Sequence, residues 1–173
     1  MTAGDRAARR TPVSACQSRL SIEPLLLDRD TDVLVAVRAA AAQPATRVIG
    51  VVDQDGRLVG VLPILRLAQA VVVRVAPEAI MSSLNDLSDI AAFSHAVEAR
   101  TLGEAMVEAP SVKATSTIDE AFRKMHSRHH SGLYVVDDDG RPTGYLDLLE
   151  LALVYLDVLE AAPEQPGNIA GAS

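Results

Sequence analysis

The residues most able to do chemistry fall in the last third of the chain. His126, His129 and His130 stand at i, i+3 and i+4 near a helix end, with Asp137, Asp138 and Asp139 shortly after. Imidazoles so spaced could ligate zinc or nickel if their ring nitrogens converged. No cysteine or further histidine reinforces a metal site, so the cluster reads as polar residues closing a helix, where imidazolium suits the dipole. Asp147 and Glu150 form a second i, i+3 pair, reminiscent of acid/base carboxylates but with no covering cleft to be inferred. Asp86 with Asp89, and His95 with Glu98, repeat that spacing; such pairs could hold a hard cation, and a solvated helix face is the expected reading.

Catalytic motifs are missing. There is no Gly-x-Ser-x-Gly elbow, no Walker loop and no HExxH, and Cys16, the single cysteine, has no paired base. The chain therefore reads as a non-enzyme that needs no cofactor and no metal. A formal charge of −7, with acids spread through the chain, would repel a phosphate backbone and argues against nucleic acid. No apolar run approaches the ~20 residues needed to span a bilayer, and the first nineteen residues hold Arg6, Arg9, Arg10 and Arg19 with no apolar core of a signal peptide. Neither membrane insertion nor secretion is expected, and a cytoplasmic setting follows. With 49% hydrophobic residues but only 3% aromatic, the core must be aliphatic, as in layered α/β packing.

The elements that would position these residues come from an internal repeat. Val51 to Gly60 (VVDQDGRLVG) returns as Val135 to Gly144 (VVDDDGRPTG) at an offset of 84 residues. Upstream, Asp30 to Ala40 aligns with Thr115 to Met125 at an offset of 85. Each copy predicts a helix, a hairpin and a second helix. Thr117 with Glu120 forms a capping-box pattern ahead of the stripe Ile118, Ala121, Phe122 and Met125. Leu133 to Val136 and Thr143 to Leu146 read as strands around an Asp-Gly turn. Leu148 to Leu159 is apolar on so broad a surface that part of it should meet another subunit. Ile80, Leu84, Leu87, Ile90 and Ala91 predict helix between the copies.

A strand ending in VVD, a DG turn, a return strand with Gly and a flanking helix, present twice, resemble a tandem pair of CBS domains, a Bateman module. The resemblance covers roughly Leu20 to Leu159, including the stretch TLGEAMVEAPSVKATSTIDEA. It implies an α/β (α+β) fold of two βα-type repeats about a pseudo-twofold axis, with two clefts between them. The expected layout is a disordered tail over 1–19, a first repeat over 20–76, a helical linker over 77–100, a second repeat over 101–160 and a disordered end over 161–173.

By resemblance the clefts bind adenosyl ligands such as AMP, ATP or S-adenosylmethionine, and two modules form a homodimer. The resemblance implies ligand contacts at Arg47, Ile49, Arg66, Lys113, Leu133, Asp147 and Glu150. In the family pattern a hydroxyl meets phosphate and a carboxylate meets ribose. Here Pro63 and Arg66 take those places in the first copy, and Asp147 and Glu150 in the second. Pro63 has no donor and Arg66 cannot accept a hydrogen bond. Asp147 would repel phosphate, so the second copy is expected to prefer a neutral or cationic ligand such as S-adenosylmethionine, or a phosphate accompanied by a divalent cation. Three functions follow: a regulatory sensor signalling through dimer geometry; a ligand-free scaffold docking on a transporter or enzyme; or a divalent-cation sensor built on Asp137 to Asp139 and the linker.

Overall fold

The structure is a computed structural model that describes residues 3–75, 78 and 98–161. The expected linker helix, with Asp86, Asp89 and His95, and nearly all of the expected C-terminal tail lie outside the described residues.

The chain opens with helices α1 (Ala3–Arg10) and α2 (Val13–Cys16) and a 3-10 turn at Gln17–Arg19. The first repeat is β1 (Leu26–Asp28), α3 (Val33–Ala42), β2 (Val48–Val52), β3 (Leu58–Pro63) and α4 (Ile64–Val75). The second is α5 (Leu102–Ala105), β4 (Ser111–Val112), α6 (Ile118–Arg128), β5 (Gly132–Val136), β6 (Pro142–Asp147) and α7 (Leu148–Ala161). Each repeat builds one three-stranded sheet, β1-β2-β3 and β4-β5-β6, whose first pair is parallel and second antiparallel. Both hairpins slip register just before the turn, at Val51/Val52 and Val135/Val136.

The repeated VVDxDGR string is a hairpin device. Asp53 Oδ1 accepts from the amides of Asp55 and Arg57 at 2.9 and 2.8 Å; Asp137 Oδ1 does the same for Asp139 and Arg141 at 3.0 and 2.8 Å. Gly56 and Gly140 then sit at φ +75° and +80°, a conformation that costs glycine nothing. The two hairpin tips touch across the pseudo-twofold axis: the Leu58 amide donates to the Gly140 carbonyl at 2.9 Å and Arg141 Nε to the Asp55 carbonyl at 3.1 Å.

Helix starts follow their side-chain caps. Asp32 Oδ1 accepts from the Leu34 amide at 2.7 Å to begin α3, and Thr117 Oγ1 from the Glu120 amide at 3.2 Å to begin α6. A carboxylate reaches back at α5 instead, where Glu104 Oε2 accepts from the amides of Arg100 and Thr101 at 2.6 and 3.2 Å.

The expectation of a disordered tail over 1–19 is corrected. Ala8, Val13 and Cys16 are buried, and Val13 and Cys16 pack with Ile118, Met125, Leu146 and Leu151 in the core of the second repeat. Leu102 of α5 is buried reciprocally in the core of the first repeat. The hydrogen bonds match. Val13 donates to the Ser116 carbonyl and Ile118 to that of Thr11; Leu102 donates to Thr31 and Val33 to Arg100. The opening segment of each repeat is thus swapped onto the other, and residues 3–19 belong to the fold. Cys16, expected in a polar tail, is a core thiol whose pKa burial raises, with Arg19 pulling the other way.

The two sheets meet through Val48, Val61, Tyr134 and Tyr145. Tyr134 enters over Gly50, where a Cβ would stand 2.7 Å from its ring, and its hydroxyl donates toward the carbonyls of Leu25 and Val48 at 2.9 and 3.0 Å. Tyr145 stacks edge-on at a centroid distance of 5.2 Å, and its buried hydroxyl is pushed up to about 12 by desolvation. This joint fixes the walls of the clefts.

Candidate functional site

A cavity of about 460 Å³ opens between the repeats. The first repeat supplies Arg47 from the approach to β2, Pro63 at the end of β3, and Leu65, Arg66 and Gln69 from the first turns of α4. The second supplies Val107 and Glu108 after α5, and Arg128, His129, His130 and Ser131 where α6 gives way to β5.

Each wall has a local cause. Val107 exchanges two backbone hydrogen bonds with Val61, at 2.9 and 2.8 Å, and so is clamped to the edge of β3. His129 ends α6 in the left-handed conformation, φ 54°, and the His130 amide returns to the Met125 carbonyl at 2.9 Å. That turn aims the His129–Ser131 segment into the cleft. Ile64 begins α4 by donating to the Arg47 carbonyl at 3.0 Å, which holds the lower wall.

The cleft is basic in an acidic chain. Three arginines line it against Glu108 alone, and Glu108 pairs with Arg128 at 2.7 Å. No carboxylate pairs with Arg66 among the described residues. Burial first, then the positive charges of Arg66, Arg128 and His129, hold the His130 pKa below its ordinary value. His130 Nδ1 is buried without a hydrogen-bond partner among the described residues.

Arg47 also reaches into the other repeat. Its Nε lies 2.9 Å from Asp147 Oδ2, and the Asp147 side chain is only 1% exposed. The contact is a charge pair without an aligned donor, since Oδ2 receives no hydrogen bond. Asp147 Oδ1 meanwhile caps α7, accepting from the Leu149 amide at 2.9 Å. The expectation that Asp147 repels a phosphate therefore fails for this cleft: its charge is inside the protein and already neutralised.

Glu150 is occupied as well. Its carboxylate accepts from the Ser21 amide and hydroxyl at 2.9 and 2.5 Å and from the Ile22 amide at 3.3 Å. Partial burial works against ionisation, but these hydrogen bonds prevail and hold its pKa below the usual carboxylate range.

Of the residues read from the sequence, Arg47 and Arg66 share the cavity, with Asp147 behind Arg47. Ile49 and Leu133 are core residues of β2 and β5 and line no part of it. Lys113 pairs with Asp138 at the second hairpin, away from the cavity lining. Asp137, Asp138 and Asp139 are engaged by the turn, by Lys113 and by Arg141, and no group of three metal-binding side chains exists among the described residues. The metal alternative for His126, His129 and His130 falls with that: the rings of His126 and His129 lie 6.4 Å apart, tilted at 32°, and His130 turns into the cleft. His130, Ser131, Val107 and Glu108 were not legible as site residues, because nothing in sequence joins residue 66 to residues 107 or 130.

A module of two α/β repeats with exchanged opening segments and a ligand-sized cleft between them is what these features define. Residues 102–157 match the CBS domain family, and the chain is a tandem CBS domain pair, a Bateman module. No curated protein matches the sequence. Among solved structures, a CBS domain-containing protein from Thermotoga maritima superposes with a TM-score of 0.69 at 22% identity, covering 90% of this chain and 99% of that chain. The CBS domain pair of protein MJ0100, in complex with 5-methylthioadenosine and S-adenosyl-L-methionine, gives 0.61 at 20% identity, covering 85% and 97%. CBSX2 in complex with AMP gives 0.59 at 18% identity, covering 86% and 98%. Among the described residues no helix is long and apolar enough to cross a membrane.

Proposed function

We propose that this chain is a regulatory module that binds an adenosyl-type ligand in the cleft between its repeats and transmits occupancy through the geometry of a homodimer. The observation that carries the reading is the cleft itself, walled by both repeats, so that a ligand bridging Arg66 and the His129–Ser131 turn would favour one relative arrangement over another. Similar CBS pairs hold AMP, 5-methylthioadenosine or S-adenosyl-L-methionine. Dimerisation is supported by two apolar faces at corresponding places in the repeats: Leu65 and Val72 on α4, and Leu149, Leu153 and Leu156 on α7, all exposed.

Thermal-shift measurements with AMP, ADP, ATP and S-adenosylmethionine test the reading, because a ligand that binds only the native state raises the melting temperature. A concentration-dependent rise with at least one of them is expected. If none shifts the transition while the protein remains dimeric, the scaffold reading takes over. One observation favours that second reading in advance: the Glu150 carboxylate is spent on Ser21 and Ile22, so one of the two family-type sites is filled from within.

A further inference from the structure

The two repeats are unequal at positions that correspond. Through the 84-residue offset, Arg66 answers to Glu150, Arg47 to Ser131 and Pro63 to Asp147. On one side this leaves an open cavity with three arginines. On the other a carboxylate already occupies backbone and hydroxyl donors, the groups that would otherwise bind an anion.

We infer that the open cleft takes its ligand by a multiply charged anionic end, of the di- or triphosphate class, and that each chain holds one such ligand. The inference rests on the proposed adenosyl reading for the rest of the molecule bound, and concerns what holds its charged end. Three features combine. Arg66 and Arg128 reach the cleft from opposite repeats, one without a carboxylate partner among the described residues and one sharing only the exposed Glu108. Arg47 stands on a charge pair with no aligned hydrogen bond, so its remaining donors are available. His130 presents a buried, unpartnered ring nitrogen in the same wall. A neutral or cationic ligand would leave this cluster of positive charge uncompensated, whereas each added phosphate relieves it, and low-dielectric walls strengthen the attraction.

Isothermal titration calorimetry on the full chain, in EDTA at two salt concentrations, tests this with 5-methylthioadenosine, S-adenosylmethionine, AMP, ADP, ATP and tripolyphosphate. Affinity is expected to rise from AMP to ATP by roughly tenfold or more, to weaken with salt, and to saturate at one equivalent per chain. Arg66→Ala and Arg128→Ala, both at exposed positions, should each weaken ATP by roughly tenfold while leaving the melting temperature in place. If 5-methylthioadenosine or S-adenosylmethionine binds as tightly as ATP, the inference is overturned and the adenosyl reading stands. If tripolyphosphate binds as tightly as ATP, the adenosyl reading is overturned and the inference stands. Two equivalents per chain, or no binding by any phosphate, overturns the inference.

Discussion

Arg47 and Asp147 give the sharpest prediction, because their burial is so unequal. The Arg47 side chain is 46% exposed and that of Asp147 1%. Replacing Arg47 by Met strands a buried carboxylate. In a fully enclosed pair that costs about 3–5 kcal/mol, and water entering from the Arg47 side brings the expected cost here down to about 2 kcal/mol. Replacing Asp147 by Asn removes the charge but keeps an oxygen for the Leu149 amide, and leaves a guanidinium that water can solvate; about 1 kcal/mol or less is expected. The order is therefore Arg47→Met worse than Asp147→Asn, with the double variant recovering much of the loss. In urea unfolding, with a slope near ~2 kcal/mol per molar, Arg47→Met should lower the midpoint by roughly 1 M. Equal costs, or a double variant that loses the sum of the two, would refute the reasoning that Asp147 is a buried charge held by Arg47.

Three further outcomes are expected. Filling the cleft with a phosphate ligand raises the depressed His130 pKa toward or above its ordinary value, against the surrounding Arg47, Arg66, Arg128, His129 and Glu108; binding therefore takes up a proton and tightens as pH falls through the neutral range. Calorimetry in buffers of different ionisation enthalpy should detect that proton, and His130→Gln should abolish it. Gly50→Ala drives a methyl to 2.7 Å from Tyr134 and from Leu26, and should cost about 1–3 kcal/mol in denaturant unfolding, where no loss would contradict the tight inter-repeat joint. Leu149→Asp with Leu153→Asp, both on the exposed face of α7, should convert a dimer to a monomer in sedimentation velocity with the melting transition retained; a persisting dimer would place the interface elsewhere.

What was legible in the sequence is what repeats with short period. The hairpins announced themselves because Asp53, Gly56, Asp137 and Gly140 each solve a backbone problem that few residues solve. The opening segments did not. Val13 and Leu102 occupy matching places in opposite cores, yet around them Thr11, Pro12, Ser14 and Ala15 face Arg100, Thr101, Gly103 and Glu104, with no identity to betray the match. Their contacts are mostly backbone hydrogen bonds, which carry little sequence signal. For the same reason four arginines in the first nineteen residues looked like a solvated tail, although Arg9 and Arg19 face Asp119 and Asp157 of the second repeat. At the site, residue type misled where burial decides: Asp147 reads as a charge facing a ligand and is instead a helix cap behind Arg47.

Binding in the inter-repeat cleft is tested most directly by amide chemical-shift mapping with whichever of adenosine, AMP, ATP and S-adenosylmethionine saturates the protein. The account predicts shifts concentrated on both walls at once, at Arg47, Leu65 to Gln69, Val107 and Glu108, and Arg128 to Ser131. Shifts centred on Lys113 and the hairpin at Asp138, or no shifts with any of the four, would contradict it.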